Sequence, residues 1–556
     1  MDLLKGKTKY FLFFGIFLLL WIFLFWKCRY GFPLDESFYI LFCYRFMKGD
    51  LPVLHEWNPT QISALWLHPF VWVFYKIHDN SEQVLLTFRY IFTVIWGLSS
   101  LFLFIRLRKL SFTGAAVSSL IFLTFVPYGQ LALYYNTFGL ITVSSALVIV
   151  ITAEKYKKVQ YVIAGFLFAI AVTCCPFLLL LYFIFFVAAI VCAIKKNKEL
   201  IVMFCCTTAG TIPAIIYFYI YYIAPSSLSE FIKGLPYLMA DRQHQFTYAE
   251  KFIGFFKEII VSSPLVLPMI FVALAALVYA ILKKTKDARI GGFIAVCIAA
   301  LILDISYLIK LDPTSNCFVF TPVFVGLYCG ILCKSDKARK LFLYMWLPGL
   351  IYMFCINISS EIGFEAIVIP AVISTMASCF LCCFFINENT SDHKGLSKKL
   401  CTIAPSILAL ATIGIMMFGM GFYAFANGRV STLTTKMEQG PNKGIYCSPE
   451  VYDSYATIVS DIEPLKDSKY ENVLLLTTYW SYLDIEKKPA LCSCFYPFID
   501  DILLDQLEEY YELYPQFTPD VIYIAGKYSD LLPRVESYGY SGEETPNGGY
   551  ILFRES

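Results

Sequence analysis

The chain has 556 residues, 58% hydrophobic and only 15% charged. Soluble domains carry roughly a quarter charged residues, so a water-soluble globular protein is excluded. A formal net charge of +2 offers no electrostatic footprint for a nucleic-acid partner. Several apolar runs reach the ~20 residues that cross a bilayer as a helix, which makes this a mostly α polytopic membrane protein with the lipid bilayer as its first partner.

Residues 1–26 resemble a signal peptide, with Lys5, Lys7 and Lys9 ahead of a long apolar run. That run is longer than a usual h-region and lacks a small-residue cleavage site, so it reads as a retained first span. Hydropathy predicts about thirteen spans, near 10–26, 84–105, 112–128, 132–152, 160–175, 176–194, 200–222, 260–282, 290–309, 317–333, 341–357, 363–387 and 402–424. Alternate connections carry the bases, among them Arg106/Arg108/Lys109, Lys155/Lys157/Lys158, Lys283/Lys284/Lys286 and Lys394/Lys398/Lys399. The positive-inside rule then puts the N-terminus in the cytoplasm. Residues 27–83, 223–259 and the tail from about 427 face outward. Two domains are expected: a membrane domain over 1–426 and an extracytoplasmic α/β domain over 427–556.

The tail carries 21 acidic against 10 basic residues over 427–556. Its β-rich segments at 472–478, 520–525 and 549–554 alternate with helical patterns at 449–462 and 499–513. It contains no Asn-x-Ser/Thr site, which leans the reading toward a bacterial plasma membrane. Most of the 19 cysteines sit in apolar runs and behave there as small apolar residues. Cys447, Cys492 and Cys494 leave open a disulfide or free thiols.

The outer segment 31–74 holds the chemistry-bearing residues. Two apolar stretches, 37–47 and 62–75, are too short to span comfortably and read as interfacial helices. They would hold Asp35, Glu36, Asp50, His55 and Glu56 at the bilayer surface. Carboxylates are costly there and are retained for binding or chemistry. The plain alternative for Asp35 is a helix N-cap after Pro33, with Glu36 favoured by the helix dipole. His55, Glu56 and Asp35 could together hold a divalent cation, although no ligand spacing compels it. Trp57 and Tyr134 could stack on a sugar, or belong to an interfacial aromatic belt. Asp304 lies within a span, where an acid is a functional candidate by default; exposure at the interface is the other reading. Asp312, Glu361 and Glu365 also collect near outer ends.

The segment Pro33-Leu34-Asp35-Glu36, Gly49-Asp50, Asn58-Pro59 leading to Trp66, and Arg89 resembles the first outer loop of GT-C glycosyltransferases that use polyprenyl-phosphate sugars, such as protein O-mannosyltransferases and aminoarabinose transferases. The resemblance spans about 65 residues. It implies a GT-C-like fold with Asp35 as catalytic base toward an acceptor hydroxyl. Glu36 would orient the acceptor, position Asp35 or help hold a cation. The implied partners are a polyprenyl-phosphate-linked sugar and an extracytoplasmic acceptor (glycan, lipid or protein). Two positions depart from the family. Asn136 stands in the Tyr134-Tyr135-Asn136-Thr137 turn where a carboxylate is common, and Thr173-Cys174-Cys175-Pro176 lacks the usual lysine. No cofactor is certain on this reading. Phosphate binding then falls to Arg89, Lys233, Arg242, His244 or Lys310, each of which could instead snorkel to the headgroups. The expected function is an inverting glycosyltransferase. The alternative is a transporter or flippase of a lipid-linked glycan, which would place charges near the bilayer midplane; a non-catalytic scaffold would leave the acidic motif unexplained.

Overall fold

The computed structural model describes residues 2–195, 198–239, 247–310, 316–359, 363–391, 396–478, 481–494 and 499–555. Among them, eleven helices are long and apolar enough to cross a membrane, from Lys7–Lys27 to Leu396–Phe422. Two shorter apolar helices, Phe112–Thr124 and Asn316–Leu332, stand where the third and tenth spans are expected. The first of these has 13 residues and is only about 20 Å long at 1.5 Å per residue, short of a ~30 Å hydrocarbon core. It stops because Pro127 and a left-handed Tyr128 (φ 55°) turn the chain aside. Residues 125–134 then run as largely buried irregular backbone, which membrane proteins tolerate where protein or a cavity surrounds it. Elsewhere the helices approach closely through small residues: Gly165 and Gly210 face the opposing carbonyls of Thr207 and Val162, and a Cβ at either position would collide.

The first helix, α1 (Asp2–Lys27), is followed by α2 (Asp35–Met47), α3 (Gln61–His78) and α4 (Val84–Leu107). The helix α3 has the amphipathic character expected at an interface: Leu67, Val71 and Phe74 are buried on one face, while Phe70, Trp72, Val73 and Ile77 are exposed. The helix α2 differs from the expectation. Every position from Glu36 to Arg45 is buried, so it is enclosed by protein rather than laid on the bilayer surface. Its low amphipathicity fits that position, since a helix apolar all round is a buried one.

The cover comes from the chain after Phe422. That segment holds a five-stranded sheet made of β1 (Asn472–Leu476), β2 (Lys488–Pro489), β3 (Val521–Ile524), β4 (Tyr540–Glu544) and β5 (Tyr550–Arg554), in the spatial order β2-β1-β3-β5-β4. The pairs β1/β2 and β1/β3 are parallel, and β3/β5 and β4/β5 antiparallel. Helices Pro449–Lys466 and Asp501–Leu513 accompany it. No disulfide joins any of the described cysteines, Cys447, Cys492 and Cys494 included. Backbone hydrogen bonds stitch this unit to the first loop: Gly31 N–H donates to Tyr446 O (3.0 Å), Trp57 N–H to Cys492 O (2.6 Å), and Gln83 N–H to Gly440 O (2.9 Å).

A buried ion cluster completes the joint. Arg45 lies nine residues beyond Glu36, which at 100° per residue is half a turn round α2. Its Nε donates to Asp50 (2.7 Å), one Nη to Glu56 (2.7 Å) and the other to His55 O (2.5 Å). Glu56 accepts in turn from the Cys494 and Asn58 backbone N–H groups (2.9 and 3.0 Å), and Lys488 of the sheet pairs with Asp50. Removing one partner of a buried pair strands the other's charge and costs about 3–5 kcal/mol. Arg45→Met should therefore lower the unfolding midpoint of the detergent-solubilised chain sharply, by about that free energy, in a denaturant titration. A midpoint unchanged from the parent would show that the cluster does not hold the joint.

Candidate functional site

Two adjacent carboxylates open α2, and the helix sends them in different directions. The helix begins at Asp35, and Leu34 at its cap position offers no side-chain hydrogen bond. Asp35 is thus not an N-cap, and the backbone there is met instead by Ser37 Oγ donating to Leu34 O (2.6 Å). Neighbouring helical residues diverge by about 100°, so the two carboxylates meet different surroundings.

Glu36 turns to α4, where Arg89 holds it with a two-point contact, Nε to Oε2 at 2.7 Å and Nη2 to Oε1 at 3.1 Å. Such bidentate pairs are the strong, geometry-fixing ones. Arg89 also donates to Cys28 O and Gly31 O, both at 2.9 Å. The guanidinium thereby ties the start of α2 to the end of α1.

Asp35 turns to the irregular segment 125–134. Its Oδ2 accepts from Gln130 Nε2 at 2.9 Å. Among the described residues its Oδ1 has no hydrogen-bond partner, and the residue is only partly buried. Burial raises the Asp35 carboxyl above its ordinary value; the Gln130 hydrogen bond works against that rise, and the Glu36 charge adds to it. The Asp35 charge also bears on the phenols of Tyr39, Tyr128, Tyr134 and Tyr135. Two of the surrounding groups have unused hydrogen-bonding capacity. Tyr128 Oη is buried and has no hydrogen-bond partner among the described residues. The Asn136 amide lies against the Tyr134 and Tyr135 phenols, yet neither of its atoms has hydrogen-bond geometry to any described group. Buried polar atoms are nearly always paired, and exceptions call for an explanation.

The other residues singled out from the sequence go elsewhere. Tyr134 packs its ring at 5.5 Å from Tyr39 and from Tyr135, beside Asp35. His55, Glu56 and Trp57 belong to the Arg45 cluster: His55 Nδ1 accepts from Leu51 N–H (2.9 Å), and Trp57 stacks on Tyr237 at 4.6 Å. The expected His55/Glu56/Asp35 cation site is therefore not assembled, because Glu56 is spent on Arg45. Among the described residues no three His, Cys, Asp or Glu side chains converge on one point, and no step is derived through a metal. Lys233 is exposed on helix Leu228–Met239 and has no contact with Asp35 or Glu36 among the described residues. Arg242 and His244, with Asp312 and Glu361, lie outside the described residues. Asp304 is fully buried and accepts from Thr321 Oγ1 (2.7 Å) and Thr412 Oγ1 (3.3 Å), which makes it a link between three helices. Sequence reasoning missed Gln130, Tyr128 and Arg45. The Pro127-Tyr128-Gly129-Gln130 turn was the available signal for the first two.

No protein-family model matches the chain, and no curated protein matches it. Solved structures similar to it include two oligosaccharyltransferases. One is the archaeal oligosaccharyltransferase AglB from Archaeoglobus fulgidus in complex with an inhibitory peptide and a dolichol-phosphate, at 11% identity and a TM-score of 0.44. The other is the Archaeoglobus fulgidus oligosaccharyltransferase tethered with an acceptor peptide containing the NVT sequon via a disulfide bond, at 12% identity and a TM-score of 0.47. Each comparison covers 99% of this chain and 75% of the other. A likeness at this level assigns no residue a role.

The division between the two carboxylates can be checked by stability alone. Glu36→Ala leaves Arg89 buried and uncompensated and should cost about 3–5 kcal/mol. Asp35→Asn keeps the shape, removes a partly desolvated charge, and should leave the denaturation midpoint nearly unchanged. Equal losses in the two variants would contradict the assignment of Glu36 to structure and Asp35 to chemistry.

Proposed function

We propose that the chain is an integral-membrane inverting glycosyltransferase, moving a sugar from a polyprenyl-phosphate donor to a hydroxyl of an extracytoplasmic acceptor. The observation that carries this reading is the unequal treatment of the acidic pair: Glu36 is consumed by Arg89, while Asp35, at the edge of a tyrosine-lined site, has one oxygen without a hydrogen bond among the described residues. A carboxylate held by one oxygen, with its proton affinity raised by burial, suits a general base, whose efficiency rises as its pKa approaches the working pH.

In the proposed reaction Asp35 Oδ1 takes the acceptor hydroxyl's proton as that oxygen bonds to the anomeric carbon. The bond from that carbon to the phosphate oxygen breaks on the opposite face and its electrons leave with the polyprenyl phosphate. The configuration inverts and the proton remains on Asp35. Glu36, with Arg89, is a positioning residue that fixes the first turn of α2. Tyr128 Oη and the Asn136 amide supply hydrogen bonds to sugar or acceptor hydroxyls. Positioning of this kind accounts for much of the barrier reduction in group transfer. The tail covers α2, and the distribution of basic residues supports reading the side that holds them both as extracytoplasmic. A transporter would expose ionisable groups along a path through the membrane, whereas the intramembrane Asp304 is already bonded to two threonines.

Asp35→Asn should reduce transfer from radiolabelled polyprenyl-phosphate sugars in membranes by about 10²–10⁴-fold, the usual contribution of a positioned base. Full turnover in that variant would remove the assignment. The pH profile gives a second check. Asp35 acts ionised and its folded pKa is raised, so kcat/KM should fall with acidification at a higher pH than an ordinary carboxylate would give. The Gln130 hydrogen bond favours the ionised form, so Gln130→Leu should move that acidic limb to still higher pH. A shift the other way would place Gln130 outside the site.

A further inference from the structure

Beside the Glu36–Arg89 pair lies a second charged group that the proposed chemistry leaves unused. Lys27 is the last residue of α1 and is only 2% exposed. It does not snorkel. Its Nζ donates inward to Tyr423 O at 2.7 Å, and an ammonium has three N–H donors. That is its one hydrogen bond among the described residues, and no described carboxylate pairs with it. The charged group that acts on it is Arg89, another cation. Glu36 offers Lys27 no relief, because both of its oxygens are already on Arg89. With the Lys27 amine protonated the three groups carry one net positive charge, and a buried charge without a counter-charge costs several kcal/mol, so an anion in the cavity would favour that protonated form.

Lys27, Glu36, Arg89 and Gln130 line one cavity of about 360 Å3, counting its open mouth. Its closed part holds about one water, so a phosphate oxygen would enter by displacing that water while the rest of the group sits in the open mouth. Two features tie it to the site and to lipid. Gln130 lines the cavity while its amide holds Asp35, so the cavity is one side chain away from the candidate base. Tyr30, Phe32 and Phe425 also line it, and the adjoining end of α1 exposes Ile22 and Trp26 where a bilayer would lie.

We infer that this cavity binds the phosphate group of a polyprenyl phosphate, with the Lys27 ammonium as its principal cation. The demand for an anion follows from charge and burial alone. The choice of a lipid phosphate rests on the transferase reading, in which that group is the one released. The phosphate oxygens would take the spare N–H groups of Lys27, while Gln130 spaces the leaving group from the base.

The test measures binding without turnover, on the full chain in detergent. Undecaprenyl phosphate, undecaprenol and inorganic phosphate are titrated against the parent, Lys27→Gln, Lys27→Arg and Asp35→Asn. Lys27→Gln retains a donor toward Tyr423 O and removes only the charge; its unfolding midpoint is recorded alongside. Loss of a charged hydrogen-bond partner should weaken undecaprenyl phosphate by about tenfold or more in Lys27→Gln, with Lys27→Arg near the parent. Undecaprenol should bind weakly to all four proteins, and Asp35→Asn should bind the lipid phosphate as the parent does. Equal affinity of the parent and Lys27→Gln for undecaprenyl phosphate would overturn the proposal, as would undecaprenol binding as tightly as its phosphate. Binding of inorganic phosphate alone would overturn the lipid assignment. Full turnover in Asp35→Asn with a Lys27-dependent affinity would sink the base and leave the cavity standing, so the two failures are distinct.

Discussion

The arrangement around Asp35 depends on the Arg89 guanidinium. It grips Glu36 with two nitrogens and the Cys28 and Gly31 carbonyls with its remaining donors. Without it, two consecutive carboxylates at a helix start would compete for the same solvent and the same proton. With it, one carboxylate is neutralised and immobile and the other is left to titrate beside it. The same contact fixes where α2 begins, because the carbonyls it binds end α1 and open the turn into the loop. Geometry at the site and the path of the backbone are therefore set by one side chain from a third element.

The second constraint is the cover. A helix apolar on every face cannot lie on a bilayer surface with one side in water, and α2 is buried throughout from Glu36 to Arg45. The chain after Phe422 supplies the missing partner. Arg45 opposes Glu36 across the helix, so α2 is pinned by a guanidinium on each side: Arg89 from the membrane helices, and its own Arg45 reaching Asp50, Glu56 and the tail. Buried ion pairs contribute little net stability but penalise wrong pairings heavily. That penalty suits a joint between two parts of a chain some 400 residues apart, where register matters more than strength.

Much of the helical framework was legible in the sequence, because each span is a continuous apolar run bounded by charge. The helices α2 and α3 were legible for the same reason. The limits came where one residue, or a distant partner, decides the structure. Hydropathy carried the third span to residue 128, but the helix ends at Thr124, because averaging over apolar residues does not register the left-handed Tyr128. The apolar pattern of α2 was the same whether bilayer or protein covered it, and only the tail's position distinguishes the two. The acidic pair at the start of a short helix was readable, but the different partners of Asp35 and Glu36 were not, since these depend on Arg89 and Gln130 standing 53 and 95 residues away. His55 and Glu56 looked like ligands by type; the partner that claims Glu56 was Arg45, eleven residues back.

Two acids inside the fold show how burial alone fails to mark a site. Asp304 is the more deeply buried, and on sequence grounds the more unusual, but Thr321 and Thr412 each give one of its oxygens a donor. Thr412 Oγ1 also lies 2.9 Å from Leu408 O, so its one proton is shared between that carbonyl and Asp304, and Asp304 serves as a link between helices. Asp35 is less buried and, among the described residues, accepts a hydrogen bond at one oxygen only, while Tyr128 Oη and the Asn136 amide beside it have no hydrogen-bond geometry to any described group. What separates the two acids is the number of hydrogen bonds that the described residues leave unmade on each, not depth.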